Sequence, residues 1–302
     1  MLLYLDCDTG VDDALAIALL LASPGAAPAG IGTVSGNTSA AQAARNTLDL
    51  LALAGRDDIP VAVGAHDPLD GGFGGGAATV HGDNGIGGVL LPAATRAPAD
   101  GDAAGLLIDL AHAHPGELRV LATGPLTNLA LALRREPGLP ALVRDVTAMG
   151  GAVRVPGNVT GDAEANIAND PPAAAAVLAA GWPVTLVPLD VTMEHRFDEA
   201  DQRALHDGGP LGAALGAMLA GYFDFYQPVL GARESPLHDP LAAGIATGEL
   251  TPGEAPLLGL RVAASGRLIE DPAVEPRTRV VLSLATPAAP LILRRILGPA
   301  HE

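Results

Sequence analysis

Residues 5 to 23 read LDCDTGVDDALAIALLLAS, and four carboxylates, Asp6, Asp8, Asp12 and Asp13, fall within eight positions of it. Side chains this close repel one another strongly unless a cation sits among them or some stay protonated. Asp12 and Asp13 also stand where a helix would begin, and acids there complement the macrodipole and cap free N–H groups. Capping accounts for one or two of the four and leaves the others unexplained. A hard divalent ion is the economical way to hold them. Ca²⁺ takes about six to eight oxygens from carboxylates, carbonyls and water, whereas zinc favours nitrogen and sulfur ligands.

Other stretches could complete such a site. ESPLHDPLAAG sets His238 and Asp239 just ahead of Pro240, although an aspartate cap followed by proline is also an ordinary helix start. Thr123, in LATGPLTN, is equally explicable as a turn residue before a helix that Gly124 and Pro125 open. Tyr222 and Tyr226 in YFDFYQ are one helical turn apart and share a face, a spacing that core packing also produces. Trp182, just before a strand, is expected in the core, and the glycine-rich GGFGGG at 71 to 76 lacks the lysine of a phosphate loop and reads as a mobile lid near the pocket.

The elements that must position these groups alternate along the chain. Strands are predicted at 2–7, 29–36, 60–64, 118–124, 146–151 and 183–190, with helices at 12–23, 39–55, 102–113, 125–136 and 171–181 between or beside them. Helical segments near 199–227 and 240–248 follow, then strand-like runs at 257–264 and 277–284. Alternation of this kind predicts an α/β fold, a mainly parallel sheet covered by helices on both faces, in a single domain over 1–302. In such sheets ligands bind beyond the carboxyl ends of the strands. DCDTGVDD, SGNTS, ATGPLTN and MGGAVRVPGNVTGDAEANIAND all sit at strand ends, so they are expected to converge on one pocket.

Composition excludes several functions. With 17 basic residues against 34 acidic and a net charge of −17, the chain has no basic footprint for nucleic acid. Every basic residue is arginine, which rules out Schiff-base, P-loop and general-base lysines. Apolar runs stay below the roughly 18 residues of a membrane span. The N-terminus shows no basic region or cleavage site of a secretory signal, so a cytoplasmic location is expected. Cys7, the one cysteine, cannot form an internal disulfide and is expected to be a buried strand residue.

Taken together the motifs resemble those of the nucleoside hydrolases of the inosine-uridine preferring type, over nearly the whole chain. The family's DxDPGxDDAxA element is D6-C-D-T-G-V-D-D-A-L-A16, its asparagine after the second strand is Asn37 in GNTS, and its HG-x-x-G-x-G element is HGDNGIGG from His81. Thr123 in ATGPLTN, the run GNVTGDAEANIAND and the pair His238-Asp239 follow in the family's order. Thr9 stands where the family usually has proline, which loosens the turn without removing a ligand. The resemblance implies the family's α/β fold with extra helices over the open end of the sheet, and Ca²⁺-dependent hydrolysis of the N-glycosidic bond of ribonucleosides. It implies a Ca²⁺ held by Asp8, Asp13, Asp239 and the main-chain carbonyl of Thr123, with Asp6 orienting its neighbours and Asp8 also acting as general base. It further implies Asp12 on the ribose O3′ and Asn37 on O2′, and Asn158, Glu164 and Asn166 on the 5′ side. His238 would be the acid for the departing base, with His81, Tyr222 and Tyr226 lining the base. The family's proteins are homodimers or homotetramers, and the same is expected here. Two rivals remain. An aspartate-nucleophile phosphatase would need its threonine two residues after the second aspartate, where this chain has it one residue early, and a non-catalytic Ca²⁺ or nucleoside-binding protein would bind without turnover.

Overall fold

The computed structural model describes residues 1–298. Its twelve strands are β1 Leu2–Cys7, β2 Ala27–Thr33, β3 Val61–Val63, β4 Arg119–Ala122, β5 Asp145–Met149, β6 Val184–Val187, β7 Arg196–Asp198, β8 Glu234–Pro236, β9 Leu257–Leu258, β10 Leu260–Val262, β11 Leu268–Glu270 and β12 Thr278–Val280. Thirteen helices complete the described residues: α1 Val11–Ala22, α2 Ala40–Leu53, α3 Ala78–His81, α4 Ala103–Ala113, α5 Thr127–Arg135, α6 Leu139–Leu142, α7 Ala165–Asn169, α8 Pro171–Ala179, α9 Leu189–Thr192, α10 Glu199–His206, α11 Gly209–Leu230, α12 His238–Ala246 and α13 Ala289–Leu297.

Eight strands form the main sheet in the order β3-β2-β1-β4-β5-β6-β12-β9, and every neighbouring pair is parallel except β12 with β9. The order explains where a site must form. The chain winds outward from β1 through β2 to β3, then returns to β4 on the other side of β1 and winds the opposite way. Helices leaving β1 and β4 therefore depart to opposite faces, and a crevice opens between them at the carboxyl ends.

Alternation along β1 shows how the sequence divides its two cores. Leu3, Leu5 and Cys7 join one buried cluster with α1, α11 and α12, while Tyr4 joins another with Leu107 of α4, Leu129 of α5 and Val177 of α8. Both faces are thus covered, as the near-continuous apolar strands required. Trp182 is buried, donating from Nε1 to the Val177 carbonyl at 2.9 Å, as expected for a core residue.

Two elements differ from expectation. The segment 199–227 is two helices, α10 and α11, because Gly209 takes a φ of +85° that breaks the run. The run 257–264 divides at Gly259 into β9, an edge of the main sheet, and β10, which pairs with β11 in a separate ribbon. The short helices α3, α7 and α9 and the β7–β8 ribbon carry too few residues to show a period. Among the described residues no helix is long and apolar enough to cross a membrane.

Candidate active site

The crevice at the end of β1 holds the acids, and each is fixed differently. Asp6 faces the second core, where Oδ2 accepts from the Tyr4 hydroxyl at 2.9 Å and both oxygens accept from Asn128 Nδ2 at 3.2 and 3.1 Å. Its main-chain carbonyl accepts the Thr123 N–H at 2.8 Å. Burial pushes its carboxyl up to about 7, against the pull of those donors. Asp6 therefore ties β1 to α5 and to the end of β4, and its partner Asn128 lies within the same ATGPLTN motif as Thr123 without having been singled out there.

Beyond β1, Asp8 Oδ2 accepts the Asn37 N–H at 2.6 Å, while Asp8 Oδ1 is buried with no partner. Gly36 and Gly124 pack so closely on this carboxylate that a Cβ at either would press on it. Asp13 closes the first turn of α1, accepting the Gly10 N–H at 2.7 Å and Asn37 Nδ2 at 3.3 Å on Oδ2, and the Thr123 hydroxyl at 2.7 Å on Oδ1. The adjacent Asp12 accepts from the Tyr222 hydroxyl at 3.1 Å on Oδ2, and its Oδ1 is buried without a partner. Asp239 stands in the first turn of α12, which packs against α1. One oxygen each of Asp12, Asp13 and Asp239 lies within 4.8 Å of the others. That triple brings together Asp13 and Asp239, includes Asp12, and does not include Asp8.

Burial raises all four of these carboxyls, and repulsion from neighbouring carboxylates adds to it for Asp8, Asp13 and Asp239. Asp12 and Asp13 are pushed up to about 6, chiefly by desolvation, with Asp12 adding to the effect on Asp13. Asp8 and Asp239 are raised further, again by burial first and then by neighbouring carboxylates. Each of the four is at most 5% exposed. The two orphaned oxygens, the all-oxygen donor set and the absence of a charged basic partner among the described residues fit a hard cation better than they fit free carboxylates.

The opposite wall is built from aromatic and imidazole groups. His238 is fully engaged: Nδ1 lies 2.7 Å from Thr192 Oγ1, and Nε2 lies 3.0 Å from the Tyr226 hydroxyl. Burial pushes it down to about 3, so it is neutral. His81 is likewise neutral, pushed down to about 4 by burial, and its Nδ1 accepts the Val11 N–H at 3.2 Å. Its 3.9 Å approach to Asp12 is therefore no ion pair. Tyr222 lies between the two tiers, its ring 5.3 Å from His81 and 5.0 Å from Tyr226.

These groups enclose a cavity of about 310 Å³. Asp12, Asn37, Thr123, Asp239, Glu164 and Asn166 line its floor, and His81, Tyr222, Tyr226 and His238 its wall. Asp6, Asp8 and Asp13 lie behind the lining. Glu164 caps α7, its carboxylate accepting from the N–H groups of Gly151, Asn166 and Ile167, and Asn166 Nδ2 reaches the Thr123 carbonyl at 2.8 Å. Asn158 lines the mouth on an exposed loop, its Oδ1 accepting the Ala165 N–H at 3.0 Å. The rim is apolar, with Val159 and Val229 60% and 62% exposed. The glycine run 71–76 borders a separate small recess through Gly72, Phe73 and Gly74, and the segment after it reaches the main cavity at Ala77 and Val80.

Fold and site define a class: a doubly wound α/β protein whose crevice sets clustered carboxylates against neutral imidazole and phenol groups. Comparison with known proteins makes this specific. A family model described as inosine-uridine preferring nucleoside hydrolase matches residues 3–283. The chain is 38% identical over 241 residues to uridine nucleosidase 1 of Arabidopsis thaliana, covering 80% of this chain and 72% of that one. It is also 38% identical over 247 residues to the pyrimidine-specific ribonucleoside hydrolase RihA of Salmonella paratyphi B, covering 79% and 76%. Among solved structures it is similar to a purine-preferring ribonucleoside hydrolase from Gardnerella vaginalis, with a TM-score of 0.91, 31% identity and coverage of 98% and 97%. The chain belongs to the inosine-uridine preferring nucleoside hydrolase family and is an N-glycosyl hydrolase of ribonucleosides.

Proposed function

We propose that the protein hydrolyses ribonucleosides with the help of one Ca²⁺, and that it divides the reaction between the two sides of the cavity. The observation that carries this reading is the buried carboxylate cluster of Asp12, Asp13 and Asp239, with the orphaned Asp8 Oδ1 beside it, facing a wall of neutral donors. Asp8, Asp13, Asp239 and the carbonyl of Thr123 would hold the ion. The Thr123 carbonyl already accepts from Asn166, but a carbonyl oxygen has two lone pairs and can serve both. When bound, the ion would acidify and place a water and anchor ribose hydroxyls.

The remaining work falls to the chain. Cleavage of a C1′–N bond passes through a sugar with oxocarbenium character, so negative charge beneath the ring stabilises the transition state more than the neutral substrate. Asp8 takes the proton of the attacking water. Asp12 holds the 3′ hydroxyl and Asn37 the 2′ hydroxyl, and Asn158, Glu164 and Asn166 the 5′ side, fixing C1′ against that water. His238 and the Tyr226 hydroxyl bonded to it serve the departing base, with Tyr222 and His81 against its edge. Phosphorylated substrates are repelled by the acids. The protein acts as a homodimer or homotetramer in the cytoplasm.

Base preference is left to the rim, since relatives named for uridine, pyrimidines and purines share this fold and family. Ribose release from inosine, adenosine, guanosine, uridine and cytidine, measured with intact protein, after chelation and after Ca²⁺ is restored, tests the proposal. Turnover lost with chelator and regained with Ca²⁺ is expected. Turnover that survives thorough chelation would overturn the metal dependence. Deoxyuridine should be hydrolysed far less efficiently than uridine, and equal kcat/KM for the two would refute the role given to the 2′ hydroxyl.

A further inference from the structure

Thr192 is fully buried at the end of α9, behind His238, and does not line the cavity. Its Oγ1 lies 2.7 Å from His238 Nδ1. That imidazole is the one recorded partner of the hydroxyl among the described residues. The geometry permits two arrangements. If Nδ1 carried the proton and donated to Oγ1, the threonine hydroxyl proton would be buried with no acceptor, the costly outcome for a polar group away from water. If instead the hydroxyl donates to Nδ1 and Nε2–H to Tyr226 Oη, the buried threonine and imidazole protons both find acceptors.

We infer that Thr192 is a positioning residue: its hydroxyl donates to His238 Nδ1, which places the ring proton on Nε2, sends that N–H to Tyr226 Oη, and leaves the tyrosine O–H free to point into the cavity. The inference rests on the reading above that His238 and Tyr226 serve the departing base, and it assigns the group touching that base to Tyr226 rather than to the imidazole. No bond to hydrogen breaks in setting up this array. The tyrosine O–H donates a hydrogen bond to the base nitrogen as negative charge builds there, and the imidazole N–H donates to the phenol oxygen behind it. In the opposite tautomer Nε2 accepts the tyrosine proton, which then faces away from the substrate. The tyrosine ring itself is held by edge contacts to Tyr222 and Phe225, each with centroids 5.0 Å apart, so only the proton's direction is left for Thr192 to decide.

The test uses Thr192→Val, which keeps the shape and removes the hydroxyl, and Thr192→Ser, which keeps the hydroxyl. Each is assayed on uridine and inosine, whose bases leave poorly, and on 4-nitrophenyl riboside, whose phenolate leaves unaided. With Thr192→Val we expect kcat on both nucleosides to fall by about 10- to 100-fold, part of what a positioned donor is worth, with KM little changed. We expect 4-nitrophenyl riboside turnover to stay within about twofold, because that leaving group draws nothing from the donor. Thr192→Ser should restore nucleoside turnover. The ¹⁵N resonances of His238, assigned by their loss in His238→Gln, should report Nε2 protonation in the wild type and a tautomer shift in Thr192→Val. Equal losses on all three substrates, no loss on nucleosides, failure of serine to rescue, or an Nδ1-protonated wild type would each overturn the inference. His238→Ala and Tyr226→Phe separate the two levels. If both spare nucleoside turnover, the base-departure reading itself fails, whereas if both impair it and Thr192→Val does not, only the role of Thr192 is lost.

Discussion

The floor and the wall of the cavity are built in opposite ways. The floor and the layer behind it concentrate charge on rigid elements: Asp239 lies in the first turn of α12, while behind the lining Asp8 follows a central strand, Asp13 lies in the first turn of α1 and Asp6 is held by Tyr4 and Asn128. The wall carries almost no charge, its two histidines kept neutral by burial and its rim made of exposed valines. The floor leaves two buried carboxylate oxygens without a hydrogen-bond partner among the described residues, while in the wall both ring nitrogens of His238 are hydrogen-bonded. A transition state with a cationic sugar and an anionic base matches this polarity end for end.

If the floor is a cation site, removing the cation should produce the largest effect. Chelation should abolish ribose release and also lower the melting temperature, since a ligand at 100 times its Kd contributes about 2.7 kcal/mol to stability. Asp13→Asn then sharpens the comparison through a change of sign. Its amide oxygen can still accept the Gly10 N–H, so in chelator the variant sheds repulsion and should melt above the wild type. With Ca²⁺ present it loses a ligand, and the order should invert. A variant that melts below the wild type in both conditions would mean that the floor is stabilised without a cation.

Next in size is the base that activates water. Asp8→Asn should lower kcat on the order of 10³-fold while substrate binding persists, because Asn37 can still donate its N–H to the amide oxygen. A small change would move the general base to Asp12, the other acid with an orphaned oxygen.

The floor was far easier to read from sequence than the wall, for a physical reason. Four acids in eight positions advertise their repulsion within one short stretch. Strand order was not legible, so the facing of Asp239 against Asp13 had to be taken from resemblance, and Asp12 was placed on ribose when geometry puts it inside the carboxylate triple as well. The wall draws on α3, α9, α11 and α12, and its hydrogen bonds span sequence separations of 46 residues between Thr192 and His238 and 210 between Tyr222 and Asp12. Thr192 sits in VPLDVTME, where a four-residue helix shows no period and a threonine gives no hint of its partner. Asn128 was within reach, since ATGPLTN was already singled out, but only the tertiary pairing with Asp6 gives it meaning.

Changes to the wall should cost less than changes to the floor. His238→Ala should reduce kcat on nucleosides by about 100-fold, the low end of what a positioned proton donor supplies. Chelation and Asp8→Asn act on water and ribose and should impair every riboside, whereas His238→Ala should spare 4-nitrophenyl riboside. Uniform loss across substrates in His238→Ala would erase the division between floor and wall.

The smallest effect should come from the rim. Val229, 62% exposed on α11 next to the buried Tyr226, contributes apolar area at the mouth but no hydrogen bond. Truncating a valine removes two methyl groups, and because this side chain is more than half in water already, the lost burial is a fraction of the roughly 1–3 kcal/mol that a methylene can be worth in a closed pocket. Val229→Ala should therefore raise KM a few-fold with kcat nearly constant, and more for purine than for pyrimidine ribonucleosides, because the larger base reaches farther toward the mouth. Steady-state kinetics on inosine and uridine decide it. A change in kcat rather than KM would mean that the rim positions Tyr226 through α11, joining it to the donor chain instead of to substrate contact.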